Sequence, residues 1–315
     1  MHPALAVILI LLPLLFLLYI AVCVSVFRFA FLRRKKQGRE NKEKTLALVG
    51  QYRERVESAM AALEALPYEG VRIFSQEQFS LYARLYKTEN AVGTVMLLHG
   101  YRSYGENDFS AIIPFYMEKR RCNVLLVDQR AHGESRGRYI TFGIQERRDC
   151  VAWAAYLAGR FGPTHKIVLD GISMGAATVM MASAEVLPRS VVGIIADCGY
   201  SSPIDILRHV GRRMRLPLPL IMPTVLWLCR RVGHFDLCEA NAVQAVSRSP
   251  LPKLFVHGMA DDFVPYEMGK QLFSAARGPK SMVSVEGAGH GLSYLVAPDA
   301  VLAALNEFFD TYVEK

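Results

Sequence analysis

Three segments of the chain, GTVMLLH (93–99), NVLLVD (123–128) and KIVLD (166–170), are apolar almost throughout. A strand with one face in water alternates polar and apolar residues. A continuous apolar run needs cover on both faces, which is the condition of a parallel strand with helices above and below it. Helical spacing lies between these segments, at Asp108–Arg120 and Ile144–Phe161. The alternation continues with a helix at Ala176–Ala184, strands at Val191–Asp197 and Lys253–His257, a helix at Met268–Arg277, a strand at Ser281–Val285 and a closing helix at Ala300–Val313. Two strands, Val71–Phe74 and Ser80–Tyr86, read as an antiparallel opening pair. The expected fold class is therefore α/β, a mostly parallel central sheet with helices on both faces. Residues 201–250 interrupt the rhythm and read as an insertion, a cap over the carboxyl ends of the strands.

The N-terminus has a different character. No charged residue occurs from Ala4 to Phe27, a run of 24 positions, and ~20 suffice to span a bilayer as a helix. Only Met1, His2 and Pro3 precede the run, and no small-x-small cleavage site follows it, so an uncleaved anchor is expected over a secretory signal. Residues 28–44 carry eight basic residues against Glu40 and Glu43. Basic flanks stay on the cytoplasmic side, so the rest of the chain is expected there. The same rule accounts for the basic run without nucleic acid, and no nucleic-acid partner is expected. A helix from Thr45 to Leu66, stopped by Pro67, is expected to join anchor to domain. The organisation expected is an anchor at 1–27, a basic segment and linker helix at 28–69, and a domain at 70–315 with its cap at about 201–250. The six cysteines are scattered with no CxxC pair, which suits a reducing compartment. No HExxH and no Cys/His cluster with ligand spacing occurs, so neither metal nor cofactor is expected.

Residues Gly171-Ile172-Ser173-Met174-Gly175 close a strand and open a helix. That is the setting of a nucleophile elbow: the sharp turn projects the Ser173 hydroxyl from the strand end, and glycines stand where a side chain would clash. Serine is a weak nucleophile and needs a base held by an acid. In this architecture the order is serine, acid, histidine. Asp261 follows the strand KLFVH, and His290 lies on the Gly-rich loop after the next strand. Asp262 is the rival for the acid. Upstream, HGYRSYGEND places Tyr101 just past a strand end, and the backbone N–H groups of Tyr101 and Met174 are the expected oxyanion donors.

The segments HGYRSYGEND, VLLVDQRAHGES, DGISMGAAT, ADCGY, HGMADDFVP and GAGHG, in that order, resemble the α/β-hydrolase superfamily over residues 70 to 313. Within it they resemble bacterial membrane-anchored hydrolases described as serine-aminopeptidase-like. The resemblance implies Ser173 as nucleophile, His290 as base and Asp261 as orienting acid. It says little of substrate, because one scaffold hosts many chemistries.

Several residues near these motifs have plainer readings. His132 is expected to shape the pocket; His99 and His257 to be buried turn histidines; Cys198 to be a buried thiol. The apolar stretch 216–229, with Trp227, is bracketed by Arg212, Arg213, Arg215, Arg230 and Arg231 and has interfacial character. Two roles are open to it: packing on the domain, or lining an acyl pocket while its arginines face anionic headgroups. The activity expected is cleavage of carboxylic esters, lipid or acyl esters among them. Amide or peptide hydrolysis by the same residues is the alternative, and a non-catalytic binding protein the more distant one.

Overall fold

The computed structural model describes residues 3–34, 43, 46, 47 and 49–314, with side chains from Ile10 onward. Most of the basic run, including Lys35, Lys36, Arg39, Lys42 and Lys44, lies outside the described residues, as does the start of the expected linker helix. The elements in order are helix α1 (Pro3–Phe31), α2 (Arg53–Glu64), strands β1 (Glu69–Phe74), β2 (Ser80–Tyr86) and β3 (Gly93–Leu98), α3 (Gly105–Phe109), β4 (Cys122–Asp128), α4 (Glu146–Phe161), β5 (Lys166–Ile172), α5 (Met174–Ala182), β6 (Val191–Asp197), α6 (Pro203–Arg213), α7 (Leu218–Leu228), α8 (Ala242–Arg248), β7 (Lys253–Gly258), α9 (Tyr266–Ala275), β8 (Lys280–Val285), α10 (Ser293–Val296) and α11 (Pro298–Tyr312).

The strands form one eight-stranded sheet in the order β1-β2-β4-β3-β5-β6-β7-β8. β2 pairs antiparallel with both β1 and β4, and the remaining pairs are parallel. The continuous apolar runs are explained by the pleat, which sends successive residues to opposite faces. Val95, Leu97, Val124 and Leu126 join the core under α11, while Met96, Leu98, Leu125 and Val127 join the one under α4. From β3 the chain steps one way to β4 and the other way to β5. The crevice outside their carboxyl ends is the switch point where open α/β sheets bind ligands.

Two expected helices are shorter than their periodicity. The Asp108–Arg120 stretch divides into α3 and a π-helical turn at Phe115–Lys119. Pro114 lies between them and has no N–H to offer Ser110, so the helical ladder cannot run through. Within the Thr45–Leu66 stretch Leu46 and Ala47 are helical, but a 3-10 turn at Gly50–Tyr52 stands before the regular helix that runs from Arg53 to Glu64. Gly50 sits at φ 54°, a left-handed conformation that an L side chain disfavours. In the insertion, the 216–229 stretch is itself largely helical as α7. Pro217 caps it and Pro219 lies in its first turn, positions where proline is tolerated; only Pro223 is interior.

α1 is long and apolar enough to cross a bilayer by length and composition. Leu11, Leu14, Leu15 and Leu18 are at least half exposed. Its last turns behave differently. Cys23, Phe27 and Phe31, spaced by four and so on one helix face, are buried in a core shared with Ile140, Phe142, α5 and the insertion. The expected boundary at residue 27 is thus not where the contacts change. The apolar run ends as protein core, and the helix continues to Phe31. Tyr19 extends the contact by donating its hydroxyl hydrogen to the Leu220 carbonyl of α7 at 2.9 Å. Phe31→Ala is expected to cost about 3–5 kcal/mol, the range for truncating a core aromatic. A thermal melt of the full chain in one detergent should register this as a clear drop, whereas truncating an exposed residue of α1 such as Leu15 would leave the domain's melt unmoved.

Candidate active site

Ser173 occupies the turn between β5 and α5 at φ 56°, ψ −114°, outside the regions an L-residue ordinarily adopts. The turn is held closed by the Ser173 N–H, which donates to the Asp197 carbonyl at 2.8 Å, and by the Ser173 carbonyl, which accepts from the Ala177 N–H at 3.0 Å. A β-carbon at Gly175 would stand 1.8 Å from the Leu98 carbonyl oxygen, and one at Gly171 would stand 2.3 Å from the Gly175 backbone. Both flanks therefore exclude side chains, as the sequence pattern implies.

The three side chains expected to meet do meet. His290 Nε2 lies 2.9 Å from the Ser173 hydroxyl oxygen, and His290 Nδ1 lies 2.7 Å from Asp261 Oδ2. Asp261 Oδ1 accepts the N–H groups of Phe263 and Val264 at 2.9 and 2.8 Å. Burial raises the Asp261 carboxyl, but hydrogen bonds from His257 and His290 and the positive charge that His290 can carry outweigh it, and it is held down at about 2. The rival, Asp262, is mostly exposed and pairs with Arg213 at 3.0 Å. His257 is buried, as expected of a turn histidine, and donates its Nε2 hydrogen to the Val264 carbonyl at 3.0 Å. It also stands 3.5 Å from Asp261 Oδ2, a contact the sequence did not disclose.

The turn after β3 is braced from below. Asp108 accepts the Gly100 N–H at 2.7 Å and the Ser103 hydroxyl at 2.6 Å. His132 Nε2 accepts the Arg102 N–H at 3.0 Å, while His132 Nδ1–H donates to the Arg130 carbonyl. Burial, then the neighbouring His99, hold the His132 imidazole well below its ordinary value, which keeps it neutral and able to accept. Among the described residues, the N–H groups of Tyr101 and Met174 have no hydrogen-bond partner, and both residues belong to the turns beside Ser173. Donors so placed can stabilise negative charge that develops next to the serine.

A cavity of about 650 Å³ opens beside Ser173. Ile112, Ile172, Ile195, Val256, Leu292 and Leu305 form much of its apolar wall. Val49 and Val56 contribute from the segment that reads as a mere linker. Of the two roles open to the 216–229 stretch, the structure shows packing on the domain. Arg213 is the only described residue of the 201–250 insertion on the wall, because Ile221, Val225 and Leu228 of α7 are buried in the core it shares with α1. Cys198 is buried, and burial first, then the charges of Asp197 and Asp261, push its thiol well up. Cys198, Asp261 and His290 bring ligand atoms within 4.8 Å of one another. Both His290 nitrogens are engaged within the relay, Nδ1 with Asp261 and Nε2 with Ser173.

Comparison with known proteins decides the family. The family model described as "Alpha/beta hydrolase family" matches residues 95–304. The chain belongs to the alpha/beta hydrolase family. It is similar to the Bacillus subtilis protein YqkD, described as uncharacterized, with 27% identity over 60% of this chain and 62% of the relative. It is also similar to the Escherichia coli (strain K12) protein YfhR, likewise described, with 23% identity over 64% of each chain. A Saccharomyces cerevisiae relative described as an uncharacterized membrane protein is 25% identical over 64% of this chain and 65% of its own. These matches span less than two thirds of each relative's length. Among solved structures, an esterase of Pyrococcus furiosus superposes with a TM-score of 0.65 at 21% identity, over 79% of this chain and 92% of that one. The alpha/beta hydrolase GrgF of Penicillium gives 0.61 at 17%, over 79% and 100%. Such likeness carries the fold.

Below the serine, on the cavity wall, Asp170 accepts the Tyr116 hydroxyl at 2.7 Å. Burial pushes its carboxyl up to about 7 against that bond. A raised folded-state pKa favours the fold while the group is protonated. That contribution is complete below ~3.9 and is lost as pH rises through the folded value. Asp170→Asn stays neutral and still accepts from Tyr116. Its melting temperature should match wild type near pH ~4 and exceed it by pH ~8, with the gap opening between the two pKa values. A constant gap across that range would assign the effect to packing instead.

Proposed function

We propose that the protein is a membrane-anchored serine hydrolase that cleaves carboxylic esters with an apolar acyl part. The observation that carries this reading is the relay from Ser173 through His290 to Asp261, with the serine held at φ 56° in its turn. His290 Nε2 takes the hydroxyl proton as Ser173 Oγ attacks the ester carbonyl. Asp261 stabilises the imidazolium that forms, and the N–H groups of Tyr101 and Met174 receive the oxyanion. His290 then returns the proton to the departing alkoxide, leaving an acyl-enzyme. Water, deprotonated by His290, releases the acid and restores the serine. The apolar wall of the cavity fits an acyl chain.

An aminopeptidase-like reading needs a free carboxylate to hold a substrate amine. The carboxylates on the described cavity wall are already engaged: Asp108 with Gly100 and Ser103, Asp170 with Tyr116, Asp197 with Ser293, and Asp262 with Arg213. This favours esters. Full-length protein in detergent should label with a fluorophosphonate and hydrolyse a p-nitrophenyl ester series. Ser173→Ala should abolish both. Asp261→Asn should lower kcat by about 10⁴, with Asp262→Asn within a few-fold of wild type. Equal losses at 261 and 262, or labelling that survives Ser173→Ala, would sink the assignment.

The membrane part of the proposal rests on α1 and α7 together. About 20 residues of α1 precede Cys23, the length a bilayer core requires. α7 carries no charged residue, exposes Leu220 and Trp227, and is followed by exposed Arg230 and Arg231. An apolar face edged by cations suits the surface of an anionic bilayer. The protein has two tryptophans, and Trp153 is buried in the core. In anionic vesicles with brominated acyl chains, Trp227 emission should be quenched, and the quenched component should vanish in Trp227→Phe. Unquenched emission would place α7 away from the lipid.

A further inference from the structure

A helix ends with carbonyls that have no partner of their own. In α1 those carbonyls are met by the catalytic domain. The Ile140 N–H donates to the Phe31 carbonyl at 2.7 Å. The Tyr101 hydroxyl donates to the Ala30 carbonyl at 2.7 Å. The Arg102 guanidinium donates to the Phe29 carbonyl and, at 3.3 Å, to that of Leu32. The Tyr101 ring stacks on Phe142 at 5.0 Å, and Phe142 meets Phe31 edge-on at 5.5 Å. Tyr101 and Arg102 are the two residues of the turn that offers the Tyr101 N–H beside Ser173. Arg102 holds that turn in a left-handed conformation at φ 56°. Asp108 and His132 fix the turn's backbone on one side, and the end of α1 fixes its side chains on the other.

We propose that the last turn of α1 is a positioning element of the active site. Through the Tyr101 hydroxyl and the Arg102 guanidinium it sets the place of the oxyanion donor, so the N-terminal helix acts in turnover as well as in attachment. This rests on the hydrolase reading above. The donor's task is geometric: it must lie within hydrogen-bond reach of charge that exists only in the transition state, and a displacement of ~1 Å can cost about 100-fold. A loosened turn therefore lowers kcat while leaving substrate binding in the cavity intact.

The test uses the full chain in detergent micelles, with a p-nitrophenyl ester as substrate. Tyr101→Phe keeps the ring and the backbone N–H and removes only the hydroxyl that donates to Ala30 and lies 3.5 Å from the Phe29 carbonyl. Arg102→Gln removes the clamp on Phe29 and Leu32, and Arg102→Lys restores the charge and one donor. Tyr101→Phe and Arg102→Gln should each lower kcat about 10-fold or more, with KM within twofold of wild type. The pH dependence of kcat/KM should keep its shape because Ser173, His290 and Asp261 are untouched, and Arg102→Lys should recover part of the loss. The proposal is overturned if both variants turn over like wild type, or if the loss appears in KM, or if it tracks a lowered melting temperature and disappears on cooling. A wild type that neither labels with a fluorophosphonate nor turns over would remove the hydrolase reading and this inference with it. An active wild type with unimpaired variants removes this inference alone.

Discussion

At the end of β5 the backbone of α5 passes so close to β3 that no β-carbon fits at Gly175. The Leu98 carbonyl occupies that space. This contact fixes the angle at which the chain leaves the sheet, and the angle forces Ser173 into its unfavourable backbone conformation. Strain of that kind costs of order 1–3 kcal/mol and persists only where the surroundings over-determine it. Here they do. α5 is buried along its whole length, its small residues Gly175, Ala176 and Ala177 let it lie against the sheet, and the Asp197 carbonyl ties the serine's own N–H. The loops bearing Tyr101, Asp261 and His290 follow β3, β7 and β8, so their meeting at one point is a consequence of sheet order.

The electrostatics of the site follow from donors more than from depth. Asp170, Asp197 and Asp261 are all buried or nearly so, yet their carboxyls diverge. Asp261 gains two backbone N–H groups and two imidazole neighbours and is held at about 2. Burial dominates at Asp197, where the nearby histidines only partly oppose it, and pushes it to about 6; burial also dominates at Asp170, where the Tyr116 hydroxyl and the Gly171 N–H oppose it and the charge of Asp197 adds to it, and it goes to about 7. A buried carboxylate stays ionised in proportion to the hydrogen bonds aimed at it. The one so supplied is the one bonded to His290.

Much of this architecture was legible in the sequence, because the strand pattern and the elbow are local signals. The apolar runs at 93–99, 123–128 and 166–170 follow from burial on both faces, and the glycines at 171 and 175 follow from a steric clash within a few residues. What stayed hidden depends on contacts across long separations. The 216–229 run and the N-terminal run are each apolar on more than one side, so composition alone could not show that Ile221, Val225 and Leu228 turn to a core containing Phe27 and Phe31. Periodicity continued through Pro114 and Gly50 because side-chain spacing takes no account of a missing N–H or a left-handed residue. Val49 and Val56 read as linker because nothing near them in the chain reports the cavity they line.

The stripe of Cys23, Phe27 and Phe31 also constrains the order of assembly. It is synthesised before the rings that receive Phe31, which belong to Phe142 and Phe235, roughly one and two hundred residues later. Contacts that close such long loops form late, since the entropy of closure comes before any gain from packing. The N-terminal helix must therefore stay in place with an incomplete apolar face until most of the chain has emerged. The groups that cap the helix, Tyr101, Arg102 and Ile140, emerge well before Phe235, so its last carbonyls can find their partners while the core around Phe31 still lacks a side.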